Sequence, residues 1–209
     1  MDQKELYERI TSLKHRKPSI FENNQLNQFS IFLPLIKVGA EYHILFEIRS
    51  KELRRQPGET CFPGGRLDSN GESSQDAAIR ETCEELGILS NELQLMGALD
   101  YLLSPFGTVI YPYFGWIKKD LNELSPNTAE VGSIFTIPIS YLIKNEPEVY
   151  KIHFDVKPEE NFPFHLVPGG KNYNWRPREM NELFYRYEDK VVWGLTARIL
   201  HHFLNLIKS

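Results

Sequence analysis

The sequence has only two cysteines, Cys61 and Cys83, and few of the features of secreted or membrane proteins. Two cysteines with no paired framework and no metal-binding spacing exclude a disulfide-rich fold and a cysteine zinc site. The longest apolar run, residues 29–38, is shorter than the roughly 18 to 20 residues that span a bilayer. The first residues are charged throughout and lack the apolar core of a signal peptide. We therefore expect no membrane partner and a cytoplasmic location.

The chain also lacks an excess of positive charge. Its 209 residues carry 24 Lys and Arg against 28 Asp and Glu, which gives a formal net charge of −4. A nucleic-acid-binding surface has to neutralise many phosphates, so we expect no nucleic-acid partner. A small anionic ligand stays compatible with this charge, because net charge does not describe local patches. The length and the hydrophobic fraction of 41% are typical of a globular protein with a sizeable core.

The N-terminal segment has the periodicity of an amphipathic helix. Leu6, Ile10 and Leu13 recur at helical spacing. We therefore predict that residues 1–24 form a helix that packs on the core, and that residues 25–209 form the main domain.

The main domain alternates segments typical of strands with segments typical of helices. Runs rich in β-branched and aromatic residues predict strands at 29–38, 42–48, 93–99, 109–117, 134–137, 183–187 and 190–193. Ser73 with Asp76 as an N-cap and Gly87 as the terminating glycine predict a helix at about 74–86. Apolar periodicity predicts a helix at 195–206, and 141–144 is predicted as a short helical turn. Residues 145–180 lack clear periodicity and are predicted as an irregular excursion. The simplest architecture is α/β, with a mixed β-sheet between helices.

Three glutamates share one side of the helix predicted at 74–86. Because each residue of an α-helix turns about 100°, Glu81, Glu84 and Glu85 fall within an arc of about 100° and the apolar residues lie opposite. One interpretation is a solvated acidic face, which is the usual role of charge clusters on helices. The other is a site for hard divalent cations, which prefer carboxylate oxygens.

The loop before this helix favours the metal-site interpretation. Gly64 and Gly65 let the backbone come close to a ligand because glycine has no Cβ. A glycine loop that leads into a helix can offer backbone groups to a phosphate or a metal. The same segment carries cations that suit diphosphate oxygens, namely Arg49, Arg54, Arg55 and Arg66. We predict substrate binding by Arg49, Arg54, Arg66 and the two glycines, and chemistry on a phosphoanhydride.

The same region resembles the Nudix box, G-x5-E-x7-R-E-U-x-E-E-x-G-U. Gly65, Glu72 and the segment RETCEELGI (80–88) supply its residues, and the gap of seven between Glu72 and Arg80 is kept. Two positions depart from the pattern. Six residues rather than five separate Gly65 from Glu72, and Thr82 stands at a hydrophobic position.

The longer spacing resembles the coenzyme A diphosphatase branch of the Nudix family. That branch has an upstream signature, L-L-T-x-R-S-x3-R-x3-G-x3-F-P-G-G. This chain matches it with LFEIRS (45–50), Arg54, Gly58 and FPGG (62–65). Phe46 and Glu47 replace its second leucine and its threonine, and WGLTAR (193–198) resembles a later segment of the branch.

The resemblance implies a Nudix α/β/α sandwich that binds Mg²⁺ or Mn²⁺. By position, the metal ligands would be Glu81, Glu84 and Glu85. Glu84 and Glu85 would also take part in catalysis, and Arg80 would hold the carboxylates in place. Glu130 resembles a downstream glutamate that acts as a base or additional ligand in some members, and an acid of a surface loop is an equally good interpretation.

The implied reaction is hydrolysis of the diphosphate bond of coenzyme A or acyl-CoA. Its products would be adenosine 3′,5′-bisphosphate and 4′-phosphopantetheine. Two alternatives stay open: a Nudix hydrolase of another nucleoside diphosphate derivative such as ADP-ribose, a dinucleotide or an NTP, and a catalytically silent nucleotide-binding sensor. We expect a small-molecule substrate and a monomer or homodimer, and a structural role for Glu72.

Overall fold

An eight-stranded mixed sheet lies at the centre of the computed structural model, which describes residues 2–16, 20, 26–68, 71–175 and 178–208. Its strands are β1 (Asn27–Val38), β2 (Glu41–Arg49), β3 (Thr60–Cys61), β4 (Gly64–Arg66), β5 (Leu93–Ala98), β6 (Leu102–Ser104), β7 (Thr108–Ile117) and β8 (Val131–Pro138). The order is β3-β2-β1-β7-β5, while β4 pairs with β1, β6 with β7 and β8 with β2. β1 and β7 run parallel, and the other pairs are antiparallel.

Besides short 3-10 segments, the described residues also contain four α-helices and a second sheet. The helices are α1 (Gln3–Ser12), α2 (Ser74–Leu86), α3 (Ile139–Lys144) and α4 (Gly194–Lys208). The second sheet is antiparallel, in the order β11-β10-β9, and consists of β9 (Glu148–Phe154), β10 (Arg178–Tyr187) and β11 (Lys190–Trp193). Among the described residues, no helix is both long enough and apolar enough to cross a membrane.

The main sheet is covered by α2 on one face and by α4 on the other. Along β2, Ile44 and Phe46 belong to the apolar cluster that includes α4, whereas Leu45 belongs to the cluster that includes α2. Successive side chains of a strand point to opposite faces, which explains this division. The predicted α/β/α sandwich with a mixed sheet is confirmed. The same alternation places Glu47 and Arg49 on the α2 face with Leu45.

Two sequence predictions differ from the structure. Residues 145–180, predicted as irregular, contain β9 and the beginning of β10, which pair along their lengths. Periodicity did not reveal β9 because six of its seven residues are exposed, so it has no buried face to mark it. The short strands β3, β4 and β6 have two or three residues each and were also not predicted.

Within the segment predicted as an N-terminal helix, the structure has the α-helix α1 over Gln3–Ser12, and its packing on the core stays a prediction. No residue of α1 is buried, and Tyr7, Ile10 and Leu13 are more than half exposed. The helix is capped by Asp2, whose side chain accepts a hydrogen bond from the Glu5 amide at 2.7 Å. The boundary predicted between residues 24 and 25 lies outside the described residues.

The helix that carries the three glutamates has defined ends. Ser73 is its N-cap: the Ser73 Oγ accepts a hydrogen bond from the Asp76 amide at 3.1 Å and donates one to the Asp76 carboxylate at 2.6 Å. Gly87 ends the helix in the left-handed conformation, with φ of 66°. The buried Ser30 hydroxyl of β1 donates to the Ser74 carbonyl at 2.5 Å, which joins the start of α2 to the sheet.

Removal of the N-cap should destabilise the protein. Ser73→Ala deletes the oxygen that accepts from the Asp76 amide, and we expect a loss of about 1 kcal/mol in the free energy of unfolding. Urea denaturation of metal-free protein measures this loss. Ser133→Ala, at an exposed position of β8, is the matched control and should change the value by less than about 0.5 kcal/mol. Equal stabilities of the two variants would contradict the capping role.

Candidate active site

Arg80 connects the loop before α2 with the glutamates of the helix. Its guanidinium donates to both carboxylate oxygens of Glu72, at 2.9 and 3.1 Å. Its Nη1 donates to Glu81 at 2.9 Å and to Glu84 at 3.3 Å. The planar guanidinium of an arginine binds a carboxylate in a fixed orientation and also supplies positive charge. The hydrogen bonds from Arg80 lower the pKa of Glu72. These contacts agree with a structural role for Glu72 and with Arg80 as the residue that holds the carboxylates.

Glu85 is the buried member of the three glutamates. Its side chain lies beneath the Gly64 turn, is 5% exposed, and accepts a hydrogen bond from the Gly64 amide at 2.8 Å. Burial raises the pKa of Glu85 to about 7, and the nearby charges of Glu81 and Glu130 act in the same direction, against the opposing effect of the Gly64 bond. The solvated-face interpretation is therefore wrong for Glu85.

The glycine pair makes the close approach of loop and helix possible. A Cβ on Gly64 would collide with the Ser30 carbonyl, and its φ of 153° is one that side chains rarely adopt. A Cβ on Gly65 would collide with the Glu81 carboxylate, whose pKa is raised by burial. The close approach predicted from the sequence is thus made to glutamates of this chain. Because the Gly64 amide is taken by Glu85, substrate binding by the glycines stays a prediction.

Glu47 is a site residue that the sequence analysis did not select. It lies on β2, is 1% exposed, and its Oε1 has no hydrogen-bond partner among the described residues. Burial raises its pKa well above the ordinary value, and the neighbouring Glu85 raises it further while Arg49 lowers it. One feature of the sequence could have identified Glu47 as a site residue. In LFEIRS, Glu47 replaces the threonine of the resembled signature and shares a strand face with Arg49.

Arg49 lies among buried acids beside the thiol of Cys61. Burial raises the pKa of Cys61 to about 12, with Glu47 and Glu85 adding to the shift and a hydrogen bond from Arg49 opposing it. A thiol in this environment stays neutral at neutral pH, which excludes a thiolate nucleophile. Arg49 offsets buried negative charge in this position, and its predicted contact with substrate remains a prediction.

The other predicted residues lie on the open side of the site. Arg54 and Arg66 are exposed, and neither has an ion pair among the described residues, so both are available to an anionic ligand. The Glu84 side chain is 56% exposed. Glu130 is exposed in the loop before β8, and its charge raises the pKa values of Glu81 and Glu85. The charge of Glu130 thus acts on two box glutamates, and its role as a base or additional ligand stays a prediction.

The departure at Thr82 is accommodated within α2. Thr82 is fully buried, in a position that is hydrophobic in the resembled box. Its hydroxyl donates to the Ala78 carbonyl one turn earlier, at 2.6 Å. The polar group is thereby satisfied inside the helix, and the methyl group of threonine still faces the core.

Comparisons with known proteins agree with this geometry. The family model described as NUDIX domain matches residues 37–163. The chain belongs to the Nudix hydrolase family. It is 31% identical over 202 residues to Nudix hydrolase 3 of Caenorhabditis elegans. That alignment covers 95% of this chain and 80% of the relative.

Further Nudix relatives carry names that state a substrate. The chain is 32% identical over 124 residues to mouse peroxisomal coenzyme A diphosphatase NUDT7, covering 59% of this chain and 51% of that protein. It is 28% identical over 180 residues to human mitochondrial coenzyme A diphosphatase NUDT8, covering 85% of this chain and 68% of that protein. Among solved structures, a C. elegans Ap4A hydrolase binary complex has a TM-score of 0.46 at 19% identity, covering 56% of this chain and 83% of that one.

The donor set of this Nudix site suits a hard divalent cation. Carboxylate oxygens are the ligands that Mg²⁺ and Mn²⁺ prefer, and Glu47, Glu81 and Glu85 supply them from β2 and α2. As they stand in this structure, no three or more of the described acidic, histidine or cysteine side chains are grouped closely enough to hold a metal ion. Instead, Arg80 holds Glu81 and the Gly64 amide holds Glu85. The unpaired oxygen of Glu47 and the raised pKa values show uncompensated negative charge, which a cation would offset.

The raised pKa of Glu85 predicts how the stability of metal-free protein depends on pH. The folded state keeps the Glu85 proton up to about pH 7, whereas the unfolded chain releases it near the ordinary value of 4.5. The stability that this proton contributes is complete below the ordinary pKa and is lost as the pH rises through 7. Glu85→Gln cannot ionise, so its unfolding free energy should fall less than that of the wild type between about pH 5 and about pH 8.

Urea denaturation in the presence of a chelator, at both pH values, measures this difference. Glu84→Gln is the control, because it removes an exposed carboxylate from the same helix, and it should retain the wild-type fall. If the unfolding free energy of Glu85→Gln fell as much as that of the wild type, Glu85 would not be the cause of the pH dependence.

Proposed function

We propose that this Nudix hydrolase cleaves the diphosphate bond of coenzyme A or acyl-CoA with the aid of Mg²⁺ or Mn²⁺. The products are adenosine 3′,5′-bisphosphate and 4′-phosphopantetheine. The observation that carries the proposal is the match to the upstream signature, LFEIRS through FPGG (45–65), together with the longer box. The names of the mouse and human relatives support the same substrate.

The geometry supports the proposal because the two sequence signatures meet at one place. The upstream signature contributes Arg49 and the glycine pair, and the box contributes Glu81 and Glu85. The Gly64 amide bonds Glu85 at 2.8 Å, and Arg49 acts on the charge of the same carboxylate. If the upstream signature had only a structural role, its arginine and glycine turn would not need to lie at the glutamates of α2.

The exposure of each glutamate of the site suggests its role in the reaction. A divalent ion bound here would neutralise the diphosphate and lower the pKa of a bound water. We assign Glu81 and Glu85, which are partly or fully buried, to the ion. Glu84, which is largely exposed, is assigned to orient the attacking water, and Glu130 is the further candidate base.

The exposed arginines provide the substrate-binding side of the site. Arg66 follows the glycine pair on β4, and Arg54 lies in the loop between β2 and β3. Guanidinium groups bind phosphate oxygens in fixed directions, which suits the diphosphate and the additional 3′-phosphate of coenzyme A. Location in the cytoplasm and a monomeric or homodimeric state stay predictions from the sequence.

A substrate panel tests the proposal. Purified protein with Mn²⁺ is incubated with coenzyme A, acetyl-CoA, ADP-ribose, a dinucleotide and a nucleoside triphosphate, and the products are separated by chromatography. We expect the highest kcat/KM for coenzyme A or its acyl derivative, with adenosine 3′,5′-bisphosphate as a product. Ready cleavage of ADP-ribose or a dinucleotide without cleavage of coenzyme A would support the alternative Nudix substrates instead.

A variant of the box tests whether the protein is a catalyst rather than a silent sensor. Glu85→Gln preserves the acceptor for the Gly64 amide but removes the charge that holds the ion, so kcat should fall by about 100-fold or more. The control is Glu8→Gln on α1, where the side chain is exposed, and its activity should equal that of the wild type. Undiminished turnover by Glu85→Gln would exclude the assigned role.

A further inference from the structure

The carboxylate of Glu47 is held rigidly inside the molecule. In the ladders of the main sheet, Glu47 lies opposite Cys61 of β3 and opposite Ile134 of β8. Strands on both sides therefore fix its backbone, and the alternation along β2 directs the side chain toward α2. Only 1% of the residue is exposed, so the carboxylate does not lie at the surface of an acidic patch.

The charges around Glu47 leave it without adequate compensation. The charged groups that act on it are Glu85, Arg49 and Glu130. One guanidinium therefore faces three carboxylates, and the Oε1 of Glu47 has no hydrogen-bond partner among the described residues. A buried ionised group costs several kcal/mol unless it is paired or coordinates a metal.

The contrast with Glu72 separates a structural glutamate from this one. Glu72 uses both carboxylate oxygens in a forked pair with Arg80 and joins the loop to the helix. Glu47 has no such arginine pair: its side chain shares a hydrogen bond with the Glu85 carboxyl, and its Oε1 has no partner among the described residues. A purely structural role leaves that buried oxygen unexplained. The resembled signature has threonine at this position, whereas this chain has an acid.

We propose that Glu47 is a strand-borne ligand of the divalent ion that the α2 glutamates bind. The ion then lies between β2 and α2 rather than on the helix alone, and Oε1 gains the partner that it lacks. This inference rests on the metal dependence in the proposed function and on no part of the substrate assignment. It also implies that the ion stabilises the packing of α2 on the sheet, since ligands from both elements bind only in the folded state.

Direct measurement of Mn²⁺ binding tests the proposal without any substrate. Free Mn²⁺ is followed by electron paramagnetic resonance as wild type, Glu47→Gln and Glu182→Gln are titrated. We expect Glu47→Gln to bind Mn²⁺ about 10- to 100-fold more weakly. Glu182 is the matched control, a glutamate of β10 that is 5% exposed and also has an unpartnered buried oxygen, and Glu182→Gln should retain the wild-type Kd. A wild-type Kd in Glu47→Gln would overturn the proposal.

Thermal unfolding separates loss of a ligand from loss of the fold. In the presence of a chelator, Glu47→Gln should have a Tm equal to or above that of the wild type, because it removes a buried charge. The rise in Tm on addition of Mn²⁺ should be smaller than in the wild type. A lower Tm in chelator with an undiminished rise on Mn²⁺ would indicate a structural glutamate and contradict the proposal.

A second variant keeps the test decisive if Glu47→Gln does not fold. Glu47→Thr carries the residue of the resembled signature, and the same loss of Mn²⁺ affinity is expected, while wild-type affinity would overturn the proposal. The results distinguish this proposal from the proposed substrate. If Glu47 binds Mn²⁺ but coenzyme A is not cleaved, only the substrate assignment is contradicted. If coenzyme A is cleaved but both variants keep the wild-type affinity for Mn²⁺, only the ligand role of Glu47 is contradicted.

Discussion

The site depends on the hydrogen bond from the Gly64 amide to the Glu85 carboxylate. This 2.8 Å contact holds the turn between β3 and β4 against α2, and it buries a carboxylate that helix geometry alone would leave on a polar face. The approach requires glycine at position 64, because a Cβ there would collide with the Ser30 carbonyl, and a Cβ on Gly65 would displace the Glu81 carboxylate. The turn, the helix and the charge of the site are therefore determined together.

Two arginines divide the negative charge of this site into an outer and an inner part. Arg80 binds the outer glutamates, including Glu81, and positions them from the solvent side. Arg49 lies among the buried acids Glu47 and Glu85, where it offsets only part of the charge. The remainder favours a divalent cation, and the same imbalance destabilises the metal-free protein as the pH rises. We therefore expect the affinity for metal and the reduced stability without it to have one physical cause.

Local signals predicted the elements that have a buried face or a defined cap. The helix predicted at about 74–86 forms over Ser74–Leu86, because Ser73 and Gly87 mark its ends. β9 was not predicted because it is exposed along nearly its whole length and forms through pairing with β10. The packing of α1 on the core stays a prediction, since periodicity indicates an amphipathic helix but does not indicate what covers it.

The sequence by itself determined the family, the α/β/α architecture and the box residues Arg80, Glu81 and Glu85. It could do so because their spacing on one helix is local and their pattern is long. Only the tertiary structure decided that Glu85 is buried and that Glu47 and Glu130 lie beside it. These residues come from separate elements, and side chains far apart in sequence meet only after the sheet has folded against α2. Burial and unbalanced charge, which give the site its chemistry, arise from that packing.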